Sequence, residues 1–134
     1  MIGIDTNVLV RLIVADDPRQ ASSAREFIRH HCTADDPGLV SNIALAELSW
    51  TLARAYGCTR DQVAAAIEQI LETVQLQVES AADVIEALRN FRIGSADFSD
   101  CLMAQCCRSA GCDYTITFDR KAAKLPGFKL LPRG

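Results

Sequence analysis

No stretch of this 134-residue chain approaches the roughly 20 consecutive apolar residues needed to cross a bilayer, which excludes a helical membrane span. The start, Met1 to Val14, lacks a basic segment ahead of its apolar residues and reads straight into a core strand. No secretory signal is therefore expected, and the cytoplasm is the expected compartment. The 6 cysteines contain no Cys-x-x-Cys pair, which argues against zinc. Cys101, Cys106, Cys107 and Cys112 lie in or just after an apolar helical segment and are expected as buried, reduced, inert thiols. Histidine is scarce: only His30 and His31, side by side, with no Gly-x-Ser-x-Gly turn elsewhere, a pattern unsuited to a Ser-His-Asp hydrolase. Glycine-rich phosphate loops of either common kind are missing too. So is an excess of positive charge. The net charge of −3 does not draw the whole protein to a polyanion. Basic residues are grouped locally instead, Arg11, Arg19, Arg25 and Arg29 early and Arg120, Lys121, Lys124 and Lys129 late. Solvated helix faces and a phosphate-tracking surface explain those groups equally well.

What is present is an ordinary globular composition, 49% hydrophobic and 23% charged, at a length that suits one core. No low-complexity segment, long linker or internal repeat divides it, so residues 1–134 read as one domain. Short strands alternate with helices. Strands are expected at Ile2 to Asp5, Gly38 to Ser41, around Leu76 and Val78, at Tyr114 to Thr117 and at Phe128 to Leu131. Helices are expected from Thr6 to Val14, from Pro18 behind an Asp17 cap to about His31, and from Asn42 to Tyr56. A further helix has Thr59 and Gln62 at capping-box spacing ahead of Val63, Ile67, Ile70, Leu71 and Val74. Ser80 and Asp83 open the next, whose expected stripe is Val84, Ile85, Leu88 and Phe91, and the last runs from Phe98 to Ala110. Strands separated by helices imply a central parallel sheet flanked by helices, an α/β/α sandwich. Such sheets bind ligands outside the carboxyl ends of their strands.

Acidic residues fall at those ends. Asp5 closes the first strand, where an unpaired buried charge would cost several kcal/mol or more, so a metal, ligand or dedicated partner is expected there. Asp119 lies just beyond the fourth strand, at the same rim. Glu47 sits in the second turn of the third helix, about 100° from Leu48. A solvated glutamate paired with Arg54 or Thr51 accounts for it as well as a site role does. Asp97 suits a helix cap, and Asp100, at the third helical position, suits the helix dipole. The same spacing also allows Asp100 to serve a metal. Several carboxylates at one rim suit Mg²⁺ or Mn²⁺, hard ions that take oxygen ligands and keep several waters. Trp50, between Leu48 and Leu52, reads as core or dimer interface rather than as a base-stacking ring.

In order and separation, four pieces resemble the PIN-domain family, most closely its VapC-type toxin ribonucleases. They are Ile4-Asp5-Thr6-Asn7, Ala46-Glu47-Leu48, Asp100 to Ala104, and Thr117-Phe118-Asp119. The resemblance implies that Asp5, Glu47, Asp100 and Asp119 form an acidic metal-binding quartet, with Asp5 and Asp100 as principal ligands. It makes Thr6, Asn7, Ser41 and Thr117 supporting polar residues and leaves Asp97 as cap or outer neighbour. It further implies Mg²⁺- or Mn²⁺-dependent RNA cleavage, a homodimer, and an antitoxin partner whose peptide covers the site. A non-catalytic PIN-like binding module and a DNA-directed nuclease of the same fold are the alternatives.

Overall fold

Most helix starts among the described residues are set by side chains that accept a backbone N–H. The computed structural model describes residues 1–132. Strand β1 is Ile2–Gly3, and Asp5 then caps helix α1, Thr6–Ile13. Asp17 caps α2, Pro18–His31, whose proline stands at the helix start, and Ser41 caps α3, Asn42–Arg54. Strand β2, Gly38–Val40, lies between α2 and α3. Thr59 and Gln62 form the expected reciprocal capping box of α4, Arg60–Glu72. Strand β3, Leu76–Val78, is followed by α5, Ala81–Ile93, and by α6, Phe98–Ser109, capped by Asp97. Strand β4, Thr115–Thr117, a single 3₁₀ turn, Ala122–Lys124, and β5, Phe128–Leu130, complete the order. Among the described residues no helix is long and apolar enough to cross a membrane.

These elements gather into two compact units, Met1–Ala81 and Ala82–Gly134. In the first, β1, β2 and β3 pair in that order, all parallel, with Ile2 opposite Gly38 and Gly38 opposite Leu76. A sheet that grows in one direction through right-handed crossovers carries its connecting helices on one face. Accordingly α1 packs on both α2 and α3, and α3 packs on α4. Leu9, Leu45, Leu48, Leu52 and Ile67 are fully shielded from water there. In the second unit β4 and β5 pair in parallel, and Val84, Phe91, Phe98 and Cys101 are buried. The Phe91 and Phe98 rings meet edge to face with centroids 6.0 Å apart.

The helical stripes are narrower than expected. Val84, Ala87, Leu88 and Phe91 are buried, whereas Ile85 stands one helical step away and is exposed. Val74 lies beyond the end of α4 and is exposed as well. β1 is an edge strand, so only Ile4 of its neighbourhood is buried. Trp50 is not core: the residue is 43% exposed, with the Arg54 guanidinium 5.6 Å from the ring centroid. All six cysteines are free, but Cys112 is exposed because it follows the end of α6, and Cys106 and Cys107 are half-buried.

Gly38 marks the closest approach inside the first sheet. A Cβ there would lie 2.9 Å from Ile4 Cδ1 and 3.2 Å from Cys32 Sγ, both in buried residues. Gly38→Ala is therefore expected to destabilise the fold by about 1–3 kcal/mol. Urea unfolding checks this, as a lower midpoint at unchanged slope.

Candidate metal centre

The first unit brings two of the expected acids into one hydrogen-bonded chain. Asp5 follows the carboxyl end of β1 and is exposed, so the burial that motivated its selection is not what holds it. Its Oδ1 accepts the Thr6 backbone N–H at 2.8 Å, and Asn7 Nδ2 donates to Oδ2 at 3.4 Å. Thr6 Oγ1 in turn donates to Glu47 Oε1 at 3.1 Å, across 41 residues of sequence. Glu47 is thus not paired with Arg54, whose guanidinium lies over Trp50. Ser41 Oγ accepts from the Ala44 N–H at 3.1 Å, which commits it to starting α3.

The second unit holds the other acids. Asp97 Oδ1 accepts the Asp100 backbone N–H at 3.0 Å and the Ser99 hydroxyl at 2.9 Å, so this oxygen is fully engaged in capping α6. Asp100 stands half-buried in the first turn. Burial, then the Asp97 charge and its hydrogen bond, then the Asp119 charge, push its pKa up from 3.8 to about 6. Asp119 Oδ1 accepts the N–H groups of Lys121 at 2.8 Å and Ala122 at 3.4 Å, the start of the 3₁₀ turn. The Thr117 hydroxyl accepts the Asp119 N–H at 2.9 Å. Each supporting residue expected from the sequence, Thr6, Asn7, Ser41, Asp97 and Thr117, therefore has a definite hydrogen-bonding task in its own unit.

These donors fit a hard divalent cation. All are oxygens, and Asp100 carries a charge that its surroundings disfavour and a cation would relieve. Among the described residues no three His, Cys, Asp or Glu side chains close round one point at ligand spacing. Thr6→Val removes the hydroxyl that orients Glu47 while keeping the side chain's shape. It is expected to lower metal-dependent turnover roughly 10- to 100-fold with little change in thermal midpoint.

Two features had no advance signal. Asp119 as the turn-forming acceptor for Lys121 and Ala122 is a local Asx pattern, recognisable only in retrospect. A network of Arg11 with Gln20 at 2.6 Å, Asp16 at 2.7 Å and Tyr56 at 3.2 Å joins α1 to the residues after α3. Its members are too far apart in sequence for any local pattern to announce them.

Comparison with known proteins bears on the whole chain. The family model for the PIN domain matches residues 2–127. The chain is similar to the VapC ribonuclease of Aquifex aeolicus (strain VF5), 24% identical over 126 residues that cover 94% of this chain and 92% of that one. It also matches the crystal structure of VapC20 of Mycobacterium tuberculosis, a sarcin-ricin loop cleaving toxin. That match has a TM-score of 0.44 and 23% identity, covering 93% of this chain and 96% of the other.

Proposed function

The chain belongs to the PIN-domain family, and we propose that it is a divalent-metal-dependent endoribonuclease, the toxin of a toxin–antitoxin pair, hydrolysing RNA phosphodiester bonds. The family match runs from residue 2 to 127, and we take 1–134 as one domain. The supporting similarity to a VapC ribonuclease spans nearly the full length of both chains. The observation that carries the proposal is the PIN-domain match itself, and half-buried Asp100, beside Asp97 and Asp119, is consistent with a cation site.

Asp5, Glu47, Asp100 and Asp119 are assigned as the carboxylates that hold Mg²⁺ or Mn²⁺, on their order along a PIN-domain sequence. When bound, such an ion supplies Lewis acidity toward phosphoryl oxygens and toward water. The chain's own residues prepare for it. Thr6 fixes the rotamer of Glu47, and Asn7 steadies Asp5. Asp97 Oδ1 holds the start of α6, and Asp100, in the first turn of that helix, is assigned to the ion on its place in the family's order. Asp119 keeps its Oδ2 outside the bonds made by Oδ1. A cytoplasmic homodimer held inactive by a cognate antitoxin completes the proposal.

The test is hydrolysis by the purified chain, freed of any partner, of matched RNA and DNA oligonucleotides with Mg²⁺, with Mn²⁺ and with EDTA. Endonucleolytic cuts in RNA that require the metal are expected. Equal cleavage of DNA would move the activity to a general nuclease. No cleavage of either, with either ion, would leave a non-catalytic binding module.

A further inference from the structure

A cleft of about 220 Å³ opens within the second unit, between the end of α5 and the turn that follows Asp119. Asn90 and Ser95 line one side, Lys121 and Lys124 the other, and Ile93 and Leu125 give it apolar surface. Leu125 is buried, whereas Ile93 is 81% exposed. Among the described residues neither lysine is tied into an ion pair. The cleft adjoins the acids of this unit through the chain itself. Ser95 lies two residues before Asp97, and Lys121 two residues after Asp119, at most about 7 Å of chain in either case. The Lys121 amide is moreover fixed to Asp119 Oδ1 at 2.8 Å, so the lysine-bearing turn is anchored to that carboxylate.

The geometry points to a nucleotide subsite: Lys121 and Lys124 hold the RNA phosphate next to the scissile one, with its sugar and base against Ile93 and Leu125. This rests on the ribonuclease function proposed above and names how the same site grips its substrate. A chain of net charge −3 with acids at its reaction centre repels a polyanion, so substrate must be held by positive charge placed locally. The cleft supplies that charge two and five residues after Asp119. Its volume falls below the roughly 300–1,000 Å³ that encloses a drug-sized ligand, which suits one unit of a longer strand passing through. Lysine ammonium groups are compact point charges without the fork that reads a base edge, so this subsite adds affinity and register without sequence preference.

The test measures binding and turnover separately. Binding of a labelled single-stranded RNA is followed by fluorescence anisotropy in EDTA, and cleavage of the same RNA is followed with Mg²⁺ or Mn²⁺. Lys121→Ala/Lys124→Ala is expected to raise Kd and KM about tenfold with kcat within twofold. It should also lower the slope of log affinity against log salt by about 0.7, the value for one single-strand phosphate contact. Lys121→Arg/Lys124→Arg should restore binding, and Ile93→Glu, which sets a negative charge at the cleft, should weaken it. The charge-matched control Arg25→Ala/Arg29→Ala on α2 should leave both constants unchanged. Unchanged KM and salt slope in the lysine pair, or an equal loss in the control, would overturn the subsite. A wild-type chain that binds through the cleft yet never cuts would sink the ribonuclease function and leave the subsite standing. One that neither binds nor cuts would end both.

Discussion

Asp5→Asn is expected to lower metal-dependent RNA cleavage by about 10³-fold while leaving the fold in place. The two halves of that result come from different atoms of one side chain. As a helix cap, Asp5 uses Oδ1 to accept the Thr6 N–H, and asparagine caps as well as aspartate does. The helix start should therefore survive, with a thermal midpoint within a degree or two of wild type. As an ion ligand, aspartate contributes a full negative charge that an amide cannot replace. Single-turnover cleavage with Mg²⁺ and a thermal melt of the same preparation check both halves together. Cleavage within a few-fold of wild type would remove Asp5 from the metal centre.

Asp100→Asn should separate activity from stability in the opposite direction. Cleavage is expected to fall by a similar factor, but the metal-free protein should become more stable by about 1 kcal/mol at neutral pH. The sign follows from the raised pKa, about 6 in the folded chain against 3.8 ordinarily. Between those values the folded state holds a proton that the unfolded chain has released, so stability falls as pH rises through that window and stays lower above it. Because Asp100 is only half-buried, solvent screening reduces the full linkage energy, and the lost interaction with the α6 dipole takes back a few tenths more. The remaining 1 kcal/mol corresponds to a midpoint shift of about 3 °C for a chain of this size. The variant should also lose the fall in stability from pH 4 to 6, which melts across that range would show. Mg²⁺ at 100 times its Kd should raise wild-type stability by about 2.7 kcal/mol and leave the variant unmoved. A variant stabilised by Mg²⁺ as strongly as wild type would show that Asp100 is not a ligand.

The sequence disclosed most where the cause of a structure is local. Asp17-Pro18, Thr59 with Gln62, and Asp97 three residues before Asp100 each mark a helix start within one turn of chain, and each cap forms as expected. Strand positions followed from short β-branched runs, and their ends moved by a residue or two, as fraying elements do. The errors lie where a three-dimensional neighbour decides. Ile85 looked like part of a buried stripe because isoleucine is apolar, yet the α5 stripe runs through Ala87 instead. Trp50 was read as core or dimer interface, and the first of these is excluded, because α3 buries Leu45, Leu48 and Leu52 and leaves Trp50 exposed. Of the acids, Asp5 and Asp119 were legible as strand-end residues. Glu47 was not, because nothing near it in sequence predicts a hydrogen bond from Thr6.

The hydrogen bonds of the acids carry a consequence for how motifs of this kind are interpreted. Asp5 and Asp119 each hold backbone N–H groups, so their carboxylates serve the architecture as well as any chemistry. Glu47 accepts the Thr6 hydroxyl instead, and Asp100 stands in the first turn of α6, half-buried beside Asp97. Replacing either Asp5 or Asp119 by alanine therefore removes a helix cap or a turn together with a carboxylate, and only substitutions that keep the accepting oxygen isolate the charge.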